Sequence, residues 1–226
     1  MWLIKNFVVI LYSFFIASVS LIIFPFDRSK KLSNFVMRVW TRGTLFILGV
    51  RIRVIGKENI IPGTGKVYIS NHASYLDIFT QLAYLPDSVR MIYKKEINKV
   101  PVLGWAMMAA GFISIDRENI RSAMKSLEKA AEKIKNGFSI VIYPEGTRTR
   151  DGSVGEFKRG MFFLADKAKA DIVPVSIVNS FGLMPGGSGR VKSGTITMVI
   201  GKPLKYKKDK AFLNEIRDVV IKNMQM

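Results

Sequence analysis

The chain has one histidine among 226 residues, in the run Asn71-His72-Ala73-Ser74-Tyr75-Leu76-Asp77. An imidazole is a suitable proton acceptor near neutral pH, and a carboxylate held at Nδ1 leaves Nε2 free as the base. Asp77, about one helical turn further on, is placed to be that carboxylate. An Asp at any chosen offset from a His arises by chance about one time in twenty, so the pair acquires meaning only from its company. In Tyr143-Pro144-Glu145-Gly146-Thr147-Arg148, Gly146 permits a tight turn and Arg148 offers a planar fork of donors suited to phosphate. An ordinary strand-to-helix turn uses the same residue types. Gly111-Phe112-Ile113-Ser114-Ile115-Asp116-Arg117 ends an apolar run in an acid and a base. A structural ion pair or a solvated strand end is the other reading of Arg117. Ile172-Val173-Pro174-Val175-Ser176-Ile177 carries a proline inside a strand pattern, which predicts an edge or a bulge. Core packing also accounts for that run.

Several chemistries lack their residues. There is no G-x-S-x-G nucleophile elbow, and Gly65-Lys66 has neither the upstream glycine nor the following Ser or Thr of a phosphate loop. The absence of cysteine removes disulfides, a thiol nucleophile and thiolate-bound metals. A single histidine argues against a His-rich metal site.

The elements that must position these groups alternate between strand and helix. β-rich runs occur at 51–56, 66–70, 112–116, 139–144, 172–178 and 195–201. A helix is predicted over Ile120 to Asn136, with Ala123, Leu127, Ala130, Ala131 and Ile134 on one face and Gly137 as the stop. Another is predicted from Gly160 to Lys169. The pattern predicts an α/β domain over 51–226 with a parallel or mixed sheet covered on both faces. His72 then follows a strand and opens a helix, a common place for active groups in such sheets.

Residues 1–50 read as a membrane-anchoring helical region. Phe7 to Phe26 is uncharged and about long enough to cross a hydrocarbon core. Arg28, Lys30 and Lys31 follow it and only Lys5 precedes it, which puts the following domain in the cytoplasm. A cleaved secretory signal is the competing reading, disfavoured by the lack of a small-residue cleavage site. Leu32 to Val50 mixes apolar residues with Arg38 and Arg42. It reads either as an interfacial helix with snorkelling arginines or as a connector packed on the domain. A chain 49% hydrophobic with net charge +18 suits an anionic partner: nucleic acid, anionic lipid, a phosphorylated substrate or an acidic carrier protein. Nucleic acid leaves residues 7–26 unexplained, and no zinc-finger or RNA-binding signature is present, so no nucleic-acid partner is expected.

Taken in order, H-x4-D, G-x-I-x-I-D-R, Y-P-E-G-T-R and I-V-P-V resemble the four blocks of the glycerolipid acyltransferase family, and most closely its members that acylate 1-acyl-glycerol 3-phosphate. The resemblance covers roughly residues 66–203. It implies a mixed central sheet flanked by helices, with an N-terminal helical pair as membrane anchor, either spanning or embedded in one leaflet. It implies His72 as the general base oriented by Asp77, and an oxyanion stabilised by preorganised donors, for which backbone amides near 71–74 are candidates. Arg148 is the implied phosphate ligand, with Arg117 and Lys94 as further candidates and Lys95 the alternative to Lys94. Glu145, Gly146 and Thr147 complete the acceptor site, Pro174 supports it, and Ser74 is a helix-start residue. Trp105, Met107, Met108 and Phe112 are candidates for an apolar acyl channel.

The implied partners are lysophosphatidic acid and an acyl thioester, with phosphatidic acid as product, at the cytoplasmic leaflet of an anionic cell membrane. No metal and no cofactor are implied beyond the donor, acyl-coenzyme A or acyl carrier protein. The carrier protein would suit Lys202, Lys205, Lys207, Lys208 and Lys210, which equally suit anionic lipid or solvent. Alternatives are another acceptor (glycerol 3-phosphate, a different lysophospholipid or a lyso-ornithine lipid) and a noncatalytic lipid-binding adaptor.

Overall fold

Apolar residues alternate with helical periods from Val50 onward, and in the computed structural model these segments assemble into one seven-stranded sheet. The structure describes residues 2–27, 30–158, 162–186 and 188–226, with Phe162 and Lys210 described for their backbone only. Arg28 and Gly160, used in the sequence reading, and the side chain of Lys210 lie outside the described residues. The strands are β1 (Val50–Ile55), β2 (Val67–Ser70), β3 (Val89–Lys94), β4 (Ile113–Ile115), β5 (Ser139–Ile142), β6 (Ile172–Val178) and β7 (Gly194–Ile200). The helices are α1 (Trp2–Ile23), α2 (Lys31–Leu48), α3 (Leu76–Tyr84), α4 (Leu103–Ala109), α5 (Ile120–Lys135), α6 (Phe162–Ala168), α7 (Ser180–Leu183) and α8 (Lys210–Asn223).

The sheet order is β1-β7-β6-β2-β5-β3-β4. β6, β2, β5, β3 and β4 run parallel, β7 is antiparallel to β6, and β1 is parallel to β7. The expected mixed sheet is therefore present, and five strand carboxyl ends share one edge. Strand alternation sorts the core into two layers. Tyr68, Val141, Val173, Val175 and Ile177 pack with Leu45 and Leu48 of α2 and Leu76 and Leu82 of α3. Val67, Ile69, Ile140, Ile142 and Ile172 pack with Ala130 and Ile134 of α5, Leu164 of α6, and Phe212 and Ile216 of α8.

Three expectations change. β6 lies inside the sheet although it contains Pro174, so it is not an edge strand. The proline carbonyl accepts from Gly201 N (2.8 Å), just where β7 has ended. Since a residue's N–H and C=O point the same way along a strand, the donor that proline lacks would have faced a position where the partner ladder has stopped. The arginines of α2 turn inward rather than snorkelling outward. Arg38 Nη2 donates to the carbonyls of Leu85, Pro86 and Asp87, and Arg42 Nε to that of Ala83, so they cap the carboxyl end of α3 and bind α2 to the domain. β3 and α8 were not foreseen.

Among the described residues one helical segment, Trp2–Phe26, is long and apolar enough to cross a membrane. It leaves Leu3, Phe7, Ile10, Phe14 and Ile22 exposed. Its first turns are tied to the domain, with Lys5 Nζ donating to Leu48 O and Ser193 Oγ (2.9 Å each) and Asn6 Nδ2 to Gly189 O (2.8 Å).

At the amino-terminal edge of the central strands, Asp87 gathers the buried Lys66 ammonium (3.2 Å), the Tyr68 hydroxyl (2.7 Å) and the Ser139 hydroxyl (2.9 Å). Burial and this carboxylate push the Tyr68 phenol far above its ordinary range. Removing one partner of a buried ion pair leaves an uncompensated charge. Asp87→Ala is expected to lower unfolding free energy by about 3–5 kcal/mol, whereas Tyr68→Phe costs only about 1 kcal/mol. Denaturant unfolding in detergent measures both.

Candidate active site

His72 follows β2 by two residues, in a loop that the sequence clamps from both sides. Asn71 Nδ2 donates to Ile177 O (2.9 Å) while Ile177 N donates to Asn71 Oδ1 (2.8 Å), which fastens the loop to the end of β6. Helix α3 opens immediately afterwards, where Leu76 N donates to Ser74 Oγ (3.2 Å). Asp77 in its first turn is fully buried. Its Oδ2 lies 2.9 Å from His72 Nδ1 and accepts from Ala73 N (2.7 Å) and Ser74 N (2.8 Å). A carboxylate is acceptor-only, so Nδ1 carries a proton, and in the neutral ring the lone pair resides on Nε2. The imidazole is stacked on Tyr143, with ring centroids 3.8 Å apart and planes 15° apart. Tyr143 Oη in turn accepts from Gln81 Nε2 (3.2 Å).

Glu145 is buried and faces backbone. Its Oε1 accepts from His72 N (2.8 Å) and its Oε2 from Gly155 N (3.0 Å). Burial raises its pKa, and the amides of Gly155 and His72 oppose the rise. Thr149 N donates to His72 O (2.9 Å), a second tie between the two loops. Gly146 has φ +77, a left-handed conformation that glycine adopts without strain. Its carbonyl accepts from Arg117 Nη1 (2.8 Å), which ties the β4 end to the β5 end.

These loops border a cavity of about 820 Å³ that extends between the sheet edge and α1, α2 and α4. His72, Lys94, Arg117, Gly146, Thr147 and Arg148 line it, as does Lys158, which no sequence pattern marked. Arg148 stacks over Tyr75 at 3.8 Å, and its buried Nη1 has no partner. Lys94 lies 3.6 Å from Glu96 Oε1, whereas Lys95 is paired with Asp116 at 2.5 Å and is not part of the lining. The far wall is apolar, with Ile16, Val36, Leu103, Met107 and Phe112 among its residues. Trp105 and Met108 are about half exposed and, three apart on α4, face outward, so the channel expectation fails for these two. The oxyanion expectation also changes: the amides of His72, Ala73 and Ser74 are already engaged by Glu145 and Asp77. Among the described residues no group of three or more His, Cys, Asp or Glu is placed to hold a metal ion.

Tyr143 was in view within the Y-P-E-G-T-R run, but its stacking on His72 joins residues 71 positions apart and leaves no local signal. Lys158 had none either, being one cation among many.

The arrangement is an imidazole held at Nδ1 by a carboxylate, beside cations, at the head of an apolar cavity. Comparison with known proteins agrees with it. The sequence profile of the family described as Acyltransferase matches residues 51–178. A chloroplastic 1-acyl-sn-glycerol-3-phosphate acyltransferase of Arabidopsis thaliana is 34% identical over 199 residues, covering 87% of this chain and 55% of the relative. One from Pseudomonas aeruginosa is 34% identical over 194 residues, covering 84% of this chain and 72% of the relative. The chain thus spans little more than half the length of its plant relative. The crystal structure of the 1-acyl-sn-glycerophosphate (LPA) acyltransferase PlsC from Thermotoga maritima superposes with a TM-score of 0.82 at 26% identity, covering 100% of this chain and 97% of that one. With three of the four blocks gathered at one sheet edge, the fourth forming β6 beside them, and more than half its length matched by the profile, this chain belongs to the acyltransferase family.

Proposed function

We propose that the protein transfers a fatty acyl group from a thioester to the sn-2 hydroxyl of 1-acyl-glycerol 3-phosphate, forming phosphatidic acid. The observation that carries the reading is the His72–Asp77 pair opening on an apolar cavity that also presents Arg148, Arg117 and Lys94. His72 Nε2 accepts the acceptor's hydroxyl proton as its oxygen attacks the thioester carbonyl. The tetrahedral intermediate collapses, the C–S bond breaks, and the thiolate takes the proton back from the imidazolium. Asp77 holds the tautomer and stabilises the transient cation. The unpartnered Nη1 of Arg148 is suited to a phosphate oxygen. Arg117 and Lys94 add positive charge, Gly146 and Thr147 shape the turn that faces the headgroup, and Glu145 positions His72 through its backbone. The acyl chains occupy the apolar end of the cavity.

Residues 1–50 serve in this reading as the anchor of the domain at 51–226. Lys5 and Asn6 bond to the domain at one end of α1, and Ala17 and Phe24 reach the cavity toward the other. A helix held along the domain at both ends favours insertion in one leaflet over spanning. Lys30 and Lys31 favour the cytoplasmic leaflet, where coenzyme A or carrier-protein thioesters meet a lipid acceptor. Lys202 and Lys208 remain candidates for a carrier-protein contact.

The first test follows phosphatidic acid formation by the detergent-solubilised protein with coenzyme A and carrier-protein thioesters. His72→Ala is expected to lower the rate by about 10²–10⁴. Asp77→Asn, which preserves shape but releases the tautomer, is expected to lower kcat with the fold retained. Full activity in His72→Ala would remove the proposed base, and no product from the unmodified protein would remove the acceptor. In the second test, Arg148→Ala should raise KM for 1-acyl-glycerol 3-phosphate by about ten- to a hundredfold, the range for a lost hydrogen bond to a charged group. An unchanged KM would remove Arg148 as the phosphate ligand and leave that role to Arg117, Lys94 or Lys158 of the lining.

A further inference from the structure

A second cavity, of about 410 Å³, lies at the amino end of β3, away from His72. It is bounded by Lys30 between α1 and α2, Ser88 and Arg90 at the start of β3, Gly111 after α4, and Lys133 near the end of α5. Three cations thus face one hollow, and no carboxylate is among its described lining residues. Arg90 is only 1% exposed. Its Nη1 donates to Asn34 Oδ1 (2.7 Å) and Val89 O (2.8 Å), while its buried Nη2 has no partner. The guanidinium is further framed by the rings of Phe138 at 4.8 Å and Phe112 at 6.0 Å. Gly111, at φ +83, keeps the wall open: a Cβ there would stand 3.3 Å from Lys133 Nζ and 3.6 Å from Arg90 Nε.

Burying a cation is costly, and the half-buried Lys30 and Lys133 add repulsion to the buried Arg90. Burial, only partly offset by Asp27, lowers the pKa of Arg90 to about 10. Burial, then Arg90 and then Lys30, lowers that of Lys133. Asp27 is the acid that acts on Arg90, yet its Oδ2 already accepts from the backbone N (2.6 Å) and Oγ (2.7 Å) of Ser33. A multiply charged oxyanion would relieve the repulsion and supply the acceptor that Nη2 lacks. In the chain Lys30 lies between Phe26 and Phe35, which are 85% and 63% exposed.

We propose that Lys30, Arg90 and Lys133 form a second anion site that takes a phosphate group, from a membrane lipid headgroup or as free phosphate, separate from the cavity at His72. The full chain in detergent is titrated with inorganic phosphate against chloride at matched ionic strength, with the thermal midpoint as readout. The unmodified protein is compared with Lys30→Gln/Lys133→Gln and with Lys57→Gln/Lys125→Gln, which removes the same charge from exposed positions outside both cavities. The pocket variant is expected to need about ten- to a hundredfold more phosphate for the same shift, the range for lost charge-assisted contacts, while the control matches the unmodified protein. Any phosphate held near Arg148 contributes equally to all three. Equal responses from all three, or no response from the unmodified protein, would overturn the proposal. Flotation with phosphatidylglycerol vesicles then separates the sources. Weaker binding by the pocket variant than by the control assigns the site to a lipid headgroup, and equal binding by the two assigns it to free phosphate.

Discussion

One carboxylate oxygen organises the site. Asp77 Oδ2 faces His72 Nδ1 and also accepts the backbone amides of Ala73 and Ser74, so the residue that orients the imidazole also shapes the loop that carries it. Its place in the first turn of α3 puts the charge where a helix dipole favours an anion. Asp77 Oδ1 remains buried without a partner, so the interaction depends on a single oxygen. Because the amides of 73 and 74 are engaged there, and that of 72 by Glu145, the loop is rigid without presenting donors of its own. Stabilisation of charge on a reacting oxygen falls to other groups around the cavity.

That loop meets its neighbours through sheet direction. β2, β5, β3 and β4 run parallel, and parallel strands deliver their carboxyl ends to one edge. Residues 72, 94, 117 and 143–148, distant in sequence, are thereby collected with no requirement beyond strand order. Side-chain bonds then lock the register of the loops: Asn71 to β6, Glu145 to His72, and Arg117 to the Gly146 carbonyl. Each fastening crosses between two strand ends, so the cavity's polar head behaves as one piece. Its apolar end is walled partly by α1 and α2, which makes the N-terminal helices part of the site.

The sequence made the strands legible where they are apolar and buried, as at 139–142 and 172–178. β3 was missed because VRMIYK places Arg90 and Lys94 inside a strand. The buried arginine looks like a loop residue until Asn34 and the Val89 carbonyl are seen to hold it. α8 begins beside a lysine-rich stretch, and its apolar face of Phe212, Ile216 and Val220 was masked by that charge. Pro174 misled because the end of its partner strand is a property of pairing, which composition does not encode. In the site, motif residues could be read one block at a time. The His72–Tyr143 stack, Lys158 and the outward turn of Trp105 and Met108 depend on how the blocks meet.

The stack carries one more consequence. An imidazole pressed flat against Tyr143 and tethered at Nδ1 cannot swing between two positions. In the proposed chemistry the same Nε2 that receives a proton must return it along nearly the same line. Hydroxyl and thioester sulfur then approach the ring from one side. In the proposed direct attack, which forms no acyl-enzyme, both substrates are bound together, and the kinetic order of that reading is sequential rather than ping-pong.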